Sequence, residues 1–463
     1  MQLKRLFSSL LVASALLAAC SPAATPAPTA VAPTTAPAAT AAATAAATTA
    51  AAATSAPAAT AASGAVTVQF WHVYSAGSAQ QKAMDDLISK FNAANPDVQV
   101  VGTYQGSYPD IYKKITAAIA GNSLPDVAVS YQDDIANYIV SGAKVQPLDA
   151  WIADPKLGFT AADMADIYPA YIDKYPGSNN QVMSVAYNRS MEVMYYNADM
   201  LSAAGFSQPP ASWDDFEAVC AKVSKAPNQY CYAITSDASR LTNWIWSRGG
   251  DLLSADGKTV STGFHDQGLA SLQFLNMLVT KNQAYLVAKQ FGDQSDFAVG
   301  KAAFTFGSSA GIPFYATAVM SSTAPFKWGV APAPHTTPNP VVDVYGPSVA
   351  IFNNGSDAKG QAAWRFVKYL MSPDANAEWV KTTSYFPARK STLAQLSDFI
   401  GKNPLYGSLV ANLPYGMNEP QIAAWNPIRT AMGDAMTAVA SGASTPEDAM
   451  NTAVQKANAA LAK

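Results

Sequence analysis

The sequence predicts an α/β protein with about two folded domains, placed behind an export signal and a linker. From Val66 onward, segments with strand-like alternation are separated by segments with helical periodicity, which is typical of α/β architecture. Residues 65–463 are long enough for about two domains. We therefore divide the chain into a signal at 1–19, a linker at 20–64 and a folded body.

The first segment has the composition of an export signal. Lys4 and Arg5 precede an apolar run at 6–18, and small residues stand before Cys20. This order indicates a cleaved signal rather than a transmembrane helix. With Cys at the predicted cut, the segment resembles the signals of bacterial lipoproteins. The resemblance implies that the mature protein begins at Cys20, is acylated there and is anchored outside the cytoplasmic membrane. An ordinary signal peptide that happens to contain a cysteine is the alternative.

The second segment, residues 20–64, is nearly all Ala, Thr, Pro and Ser, without a charged or aromatic residue. It has no periodic apolar face that would offset the entropy lost on ordering. We expect a disordered linker that lets the folded body approach a partner in the membrane.

The folded body opens with strand–helix–strand alternation. Val66, Val68 and Phe70 alternate with polar residues, as in a strand with one buried face. Residues 79–93 place Met84, Leu87, Ile88 and Phe91 at helical spacing. We predict further elements in the following order: strand 98–104, helix 111–120 and strand 125–130. This alternation predicts an α/β lobe with a largely parallel sheet.

Later segments continue the pattern. The predicted elements are strands at 298–306, 328–331 and 345–352, a helix at 360–371 ended by Ser372-Pro373, and a C-terminal helix that opens at 444–448. In the last helix, Met450, Val454, Ala457 and Leu461 form the predicted buried stripe.

Composition excludes several classes of function. Removing Lys4 and Arg5 with the signal leaves 27 basic and 32 acidic residues, hence a net charge near −5. This balance argues against a nucleic-acid binder, which needs a basic patch. No second apolar run is long enough to span a membrane. The three histidines are far apart and no segment has zinc-ligand spacing, so we expect neither metal nor cofactor.

Cys220 and Cys231 are the remaining cysteines of the chain. In an exported protein, two cysteines eleven residues apart are predicted to form a disulfide. Two buried free thiols are the alternative.

Five short motifs, taken in order, resemble the extracellular solute-binding proteins of ABC importers. They are Phe70-Trp71-His72, residues 91–96, residues 104–108, Pro125-Asp126-Val127 and residues 195–199. The resemblance implies a type II periplasmic-binding-protein fold, like that of maltose-binding proteins, with two α/β lobes joined by hinge strands. It places lobe one at 65–189 with 346–395, and lobe two at 190–345 with 396–463. It also implies a monomer that binds a small solute in the cleft and delivers it to the permease subunits in the membrane.

Within that family the pattern is most similar to the glycerol-3-phosphate-binding component. Position by position, the resemblance implies ligand contacts from Tyr108, Gln132, Ser190, Ser308, Gly346, Tyr385 and Arg429. Gln132 stands where the family has a glutamate, and residues 235–238 lack the paired tryptophans of the family. Arg429 and the serines favour glycerol 3-phosphate or a glycerophosphodiester as the expected solute. The two departures from the family pattern favour the alternative, a neutral mono- or oligosaccharide.

The same residues also have ordinary structural interpretations. The prediction of a phosphate ligand depends on Arg429, because a guanidinium presents a rigid fork of hydrogen-bond donors to a phosphate. The alternative interpretation of Arg429 is an ordinary arginine on a helix surface. Ser190 and Ser308 could serve as turn or cap residues, and Gly346 as a turn glycine.

Two other classes of function compete with solute binding. Residues 307–311 fit the G-x-S-x-G nucleophile elbow of hydrolases around Ser309. Against it, no acid lies between Ser309 and His335, and Pro313 is expected to prevent the required helix. A tethered surface protein is the third hypothesis; it predicts internal repeats, and the sequence has none.

Overall fold

Two β-sheets organise the residues that the computed structural model describes, namely 64–289, 291–352 and 357–463. These residues belong to one compact unit. The predicted signal, the lipidation site at Cys20 and the linker through 63 lie outside the described residues. Their predictions therefore stay predictions.

The strands are β1 Val66–His72, β2 Val98–Tyr104, β3 Val127–Ser130, β4 Ile172–Tyr175, β5 Gln181–Val185, β6 Asn188–Asn197, β7 Tyr230–Ile234, β8 Ala284–Leu286, β9 Ala302–Ser308, β10 Trp328–Ala331, β11 Val342–Tyr345, β12 Ser348–Ile351, β13 Phe386–Pro387 and β14 Gly416–Met417. Short 3₁₀ turns lie at Pro169–Tyr171, Pro176–Ser178, Ser309–Gly311 and Leu413–Tyr415.

The helices are α1 Ala79–Ala94, α2 Tyr108–Ala120, α3 Gln132–Val140, α4 Asp149–Ile152, α5 Ala161–Asp166, α6 Ala198–Ala203, α7 Trp213–Val223, α8 Ala238–Ser247, α9 Thr262–Thr280, α10 Gly292–Ala298, α11 Ile312–Met320, α12 Asp357–Leu370, α13 Pro373–Thr383, α14 Thr392–Gln395, α15 Ser397–Lys402, α16 Pro404–Val410, α17 Trp425–Ala440 and α18 Pro446–Leu461.

The first sheet has the order β2-β1-β3-β12-β5-β4. Strands β1, β2 and β3 are parallel, whereas β12 is antiparallel to both β3 and β5, and β4 is antiparallel to β5. The prediction of a largely parallel sheet is therefore right only for the three strands of the initial strand–helix alternation. The antiparallel part consists of the local hairpin of β4 and β5 and of β12, which joins the sheet from a late segment of the chain.

The second sheet has the order β14-β11-β6-β9-β7-β8, with β10 and β13 also paired to β6. Strands β7, β8 and β9 are parallel to one another. Strand β6 is antiparallel to all four of its neighbours, β9, β10, β11 and β13. Its burial along its whole length, with Tyr196 alone half-buried, agrees with this central position.

The predicted strand 345–352 is wrong as a single element. Strand β11 ends at Tyr345 in the second sheet, and β12 begins at Ser348 in the first. Gly346 lies between them with φ 141°, a conformation that L side chains rarely adopt. The chain also crosses from the first sheet to the second between β5 and β6. The two sheets are thus connected by adjacent crossings.

Other details also differ from prediction, including the start of β3 at Val127 instead of 125 and the bounds of α12, Asp357–Leu370 instead of 360–371. Residues 298–301 are not strand, because α10 ends at Ala298 and the chain turns at Gly300 before β9. Helix α2 begins at Tyr108, three residues earlier than predicted, because Ser107 and Asp110 form a capping box. In α18 the buried positions include Ala449 and Ala453, whereas the predicted Val454 and Leu461 are half-buried.

The structure joins Cys220, in α7, to Cys231, in β7, through a disulfide with a Cα–Cα distance of 4.9 Å. Both residues are buried. The bond fixes α7 to β7, one of the strands whose carboxyl ends lead into the site described below.

Among the described residues, no helix combines the length and apolar character that crossing a bilayer requires. The same residues contain no group of three or more His, Cys, Asp or Glu side chains arranged to hold a metal ion.

Candidate ligand-binding site

Aromatic side chains follow the parallel strands of the first sheet. Tyr108 comes shortly after β2, and Tyr131 directly follows β3. Because the carboxyl ends of parallel strands meet at one edge of a sheet, these residues share that edge. Their rings lie with centroids 4.3 Å apart. Burial, and then the nearby hydroxyls of Tyr131 and Tyr385, raise the pKa of Tyr108 well above its usual value. Tyr108, Tyr131 and Tyr385 thus form one cluster.

The parallel strands of the second sheet end at a cavity of about 670 Å³. Residues that follow β7, β8 and β9 line it, including Asp237, Val287 and Gly311. Ser308, the last residue of β9, lies in the same lining, together with Tyr345. Crevices at the carboxyl ends of parallel strands are the usual ligand sites of open α/β sheets.

A buried ion pair forms the floor of this cavity. The Arg240 Nε atom donates to Glu192 Oε1 at 3.0 Å, and the Tyr345 hydroxyl donates to Glu192 Oε2 at 2.9 Å. Arg240 also donates to the carbonyl oxygens of Thr235 and Phe306. Because all of these groups are paired, they hold Tyr345 and the end of β9 in fixed positions.

A second buried ion pair lies where the chain crosses between the sheets. The Arg189 Nη2 atom donates to Asp173 Oδ1 at 2.9 Å and to Ser348 Oγ at 3.0 Å, and Nη1 donates to the Gly346 carbonyl. Next to it, Ser190 Oγ donates to the Tyr345 carbonyl at 3.0 Å. These bonds tie β6 to the crossing between β11 and β12.

Arg429, in α17, already has counter-ions. Its Nη1 atom donates to Glu419 and, at 3.1 Å, to Ser239 Oγ, and its Nη2 atom lies 3.6 Å from Asp237 Oδ1. Burial lowers the pKa of Arg429, but the carboxylates of Glu419 and Asp237 outweigh this effect and raise the pKa above its usual value. The guanidinium is therefore charged and largely neutralised by its neighbours.

Helices α3 and α17 bring the tyrosine cluster at the edge of the first sheet close to the surroundings of Arg429. Burial raises the pKa of Asp133, and the positive charge of Arg429 opposes that shift. The Asn426 Nδ2 atom, in α17, donates to Asp134 Oδ1 at 3.4 Å. The tyrosine cluster and the environment of Arg429 therefore face each other, and together we name them the cleft: Tyr108, Tyr131, Tyr385, Asp237, Glu419 and Arg429.

The model of a protein family described as bacterial extracellular solute-binding protein matches residues 86–407, more than half of the chain. The chain belongs to this family. It is accordingly a solute-binding protein and not an enzyme.

Two relatives are similar to this solute-binding protein over most of its length. It is 26% identical over 420 residues to the sn-glycerol-3-phosphate-binding periplasmic protein of Shigella dysenteriae serotype 1, covering 85% of this chain and 92% of that protein. The corresponding protein of Escherichia coli strain K12 is 26% identical over 424 residues, with the same coverage of each chain.

Solved structures share the fold. The cyclic α-maltosyl-1,6-maltose binding protein from Arthrobacter globiformis superposes with a TM-score of 0.74 at 21% identity, over 86% of this chain and 100% of its own. UgpB from Mycobacterium tuberculosis in complex with glycerophosphocholine gives a TM-score of 0.71 at 20% identity, over 86% and 99%. The predicted maltose-binding-protein-like fold is therefore confirmed.

The solute-binding protein brings its predicted site residues into two neighbouring groups. Tyr108, Tyr385 and Arg429 belong to the cleft, and buried Gln132 begins α3 directly after Tyr131. Ser190, Gly346 and Ser308 surround Tyr345 instead, at the crossing and in the cavity lining. The side chain of Ser190 is already bonded to the main chain.

Several residues of the site are absent from the sequence-based prediction. Asp237 lies within 235–238, the segment singled out only because it lacks tryptophan. No sequence pattern indicated Glu419, which reaches Arg429 from a loop ten residues earlier. None indicated the Glu192–Arg240 pair either, whose members are 48 residues apart. Trp244 and Trp246 lie in the buried core of the second sheet.

The serine-elbow prediction contained one error. Helix α11 does begin directly after 307–311, with Pro313 in its first turn, where proline is tolerated. Pro313 therefore gives no argument against an elbow. The Ser309 side chain is nevertheless buried, and its Oγ accepts a hydrogen bond from the Met191 amide at 3.1 Å. This hydroxyl supports β6.

The Asp134 carboxyl is expected to make stability depend on pH. Burial, and then the Asp133 charge, raise the pKa of Asp134 from 3.8 to about 7. A raised carboxyl pKa favours folding at low pH, and this contribution is lost as pH rises from about 4 to 7. Asp134→Asn should therefore match the wild type in stability near pH 4 and exceed it by roughly 1–3 kcal/mol at pH 8, in urea unfolding. Asp86→Asn, at an exposed site, is the control. A gain in stability of Asp134→Asn that does not depend on pH would contradict the raised pKa of Asp134.

Proposed function

We propose that this chain is the substrate-binding component of an ABC importer, anchored outside the cytoplasmic membrane through an acylated Cys20. The family supports the extracellular solute-binding role. The anchor is supported by the order of basic, apolar and small residues before Cys20. The linker at 20–64 would give the body the reach to meet a permease.

Capture of the solute is proposed to close two lobes, 65–189 with 346–395 and 190–345 with 396–463. The separation of the strands into two sheets and the adjacent crossings around Gly346 and before β6 support the divisions at 189/190 and 345/346. A solute that contacts both lobes stabilises the closed state more than the open one, and this difference drives closure. The interaction of Asp133 with Arg429 lies between the proposed lobes.

The proposed solute is glycerol 3-phosphate or a glycerophosphodiester. The observation that carries this proposal is that Arg429 lies among hydroxyl donors, with Ser239 bonded to it and Tyr131 close by. A guanidinium with neighbouring hydroxyls is suited to a phosphate oxygen. The resemblance to the sn-glycerol-3-phosphate-binding proteins supports the same class.

A neutral mono- or oligosaccharide is the second candidate, and one observation favours it. Arg429 is already bonded to Glu419 and lies 3.6 Å from Asp237, so a phosphate would have to compete with carboxylates. A neutral polyol would instead use those carboxylates as hydrogen-bond acceptors.

A thermal-shift panel on the mature chain tests the proposal. It contains sn-glycerol 3-phosphate, glycerophosphocholine, inorganic phosphate, glucose and maltose. A ligand at about 100 times its dissociation constant stabilises the fold by roughly 2.7 kcal/mol, which raises the melting temperature measurably. We expect shifts with the glycerol phosphates. Shifts with the sugars alone would select the second candidate, and no shift with any compound would contradict both.

A further inference from the structure

The cavity at the second sheet extends beyond the residues assigned to the proposed solute. At about 670 Å³ it lies in the range of pockets that enclose drug-sized ligands. Ser308 and Tyr345 form only one part of its lining, and the rest continues between the segments that follow β8 and β9. A three-carbon phosphate ester at Ser308 would leave this remainder unfilled.

Two exposed phenylalanines mark the remainder of the cavity. Phe291 and Phe314 are 63% and 64% exposed, and they are the phenylalanines left exposed in the described part of the chain. Both line this cavity. Phe291 has φ 58°, which is uncommon for a bulky residue and occurs mostly at sites that need a special backbone geometry. Apolar rings left open at a cavity are surfaces that a ligand would cover.

Polar groups lie in the same lining as these rings. Ser236 Oγ is buried and has no hydrogen-bond partner among the described residues. Asp237 is half exposed, and Asp293 accepts hydrogen bonds from Thr305 and Tyr315 at 3.0 and 2.7 Å. A sugar-like ring has an apolar C–H face and a rim of hydroxyls. Aromatic faces beside hydroxyl and carboxylate groups are complementary to both.

We propose that this part of the cavity is a second subsite, which binds a hydroxyl-bearing ring against Phe314. The inference rests on the proposed function, because it concerns the same bound solute. It makes that solute larger than glycerol 3-phosphate. The ring would belong either to the headgroup of a glycerophosphodiester or to a second unit of an oligosaccharide.

Phe314→Ala tests the subsite, with Met320→Ala as its matched control. Both residues are exposed positions of α11, but only Phe314 lines the cavity. Calorimetric titration of the mature chain would use two pairs of probes: sn-glycerol 3-phosphate with glycerophosphoinositol, and glucose with maltose. In one of the two pairs, the longer probe should bind the wild type at least about tenfold more tightly than the shorter probe does. Phe314→Ala should abolish that advantage, whereas Met320→Ala should keep it.

The outcomes separate this inference from the proposed function. If the shorter probe of a pair binds and the longer one binds no more tightly, the subsite is overturned while solute capture stands. The subsite is also overturned if Phe314→Ala weakens both members of a pair equally or behaves as Met320→Ala does. If none of the four probes binds the wild type, the subsite and the proposed solute classes fail together. The pair that shows the advantage identifies the source of the ring.

Discussion

Replacing Asp173 by alanine is expected to lower the free energy of unfolding by about 3–5 kcal/mol. Asp173 is fully buried and accepts hydrogen bonds from Arg189, Ser184 and Gln421 at 2.9, 2.9 and 3.0 Å, and another from Ser348. Without the carboxylate, the Arg189 guanidinium would remain buried and lose its counter-ion, which is why the cost is large. Urea unfolding followed by circular dichroism measures the loss.

Two further variants give this prediction its controls. Asp86→Ala breaks the exposed ion pair with Lys82 and should cost less than about 1 kcal/mol. Replacing Asp173 and Arg189 together, by alanine and methionine, should recover part of the stability, because no unpaired charge then remains. Equal losses for Asp173→Ala and Asp86→Ala would show that the crossing does not depend on this ion pair.

Prediction from sequence succeeded where burial alternates within one sheet or along one helix. The predicted bounds of β2 and β10 agree with the structure, and α1 differs by one residue. In β1 the core-facing residues Val68 and Phe70 are fully buried, and α1 buries its predicted apolar stripe. Such patterns involve residues that are close in sequence, and they can therefore be recognised without the structure.

Prediction failed where the chain changes sheets. Gly346-Pro347 is a turn signal that the single predicted strand did not take into account. Even so, local alternation does not reveal that Tyr345 and Ser348 belong to different sheets. The apolar residues before β9 belong to the last turn of α10, and periodicity in so short a run does not distinguish helix from strand. The first failure concerns long-range pairing, and the second concerns a run too short for its local preference to be clear.

The site shows the same limit. The resemblance indicated Arg429 and the tyrosines by position, but not the counter-ion of Arg429. Glu419 reaches the guanidinium from the loop before α17, and Trp425 Nε1 donates to the same carboxylate at 2.8 Å. Such a contact depends on how the loop folds back on the helix. The electrostatic character of the cleft therefore emerges only from the three-dimensional structure.

Arg429→Ala is expected to abolish binding of glycerol phosphates, with a loss in affinity of at least about 100-fold. The variant removes the guanidinium and leaves Glu419 and Asp237 as uncompensated negative charges that repel phosphate. Titration with sn-glycerol 3-phosphate measures the loss. Arg365→Ala is the matched control, because Arg365 pairs with Asp97 on the surface, outside the cleft. An unchanged affinity in Arg429→Ala would place the phosphate elsewhere and contradict the proposed role of Arg429.

Glu419→Gln should change affinity in the opposite direction, because it removes the charge that competes with phosphate while keeping the size of the side chain. The amide oxygen can still accept the hydrogen bond from Trp425 Nε1. With one carboxylate fewer beside Arg429, we expect affinity for sn-glycerol 3-phosphate to rise several-fold, most clearly at low salt. A neutral sugar should gain nothing, since no Coulomb interaction with it changes. If phosphate binding instead weakens, Glu419 positions Arg429 for the solute rather than competing with it. The sign of this one change therefore decides whether Glu419 competes with the phosphate of the solute or positions Arg429 to bind it.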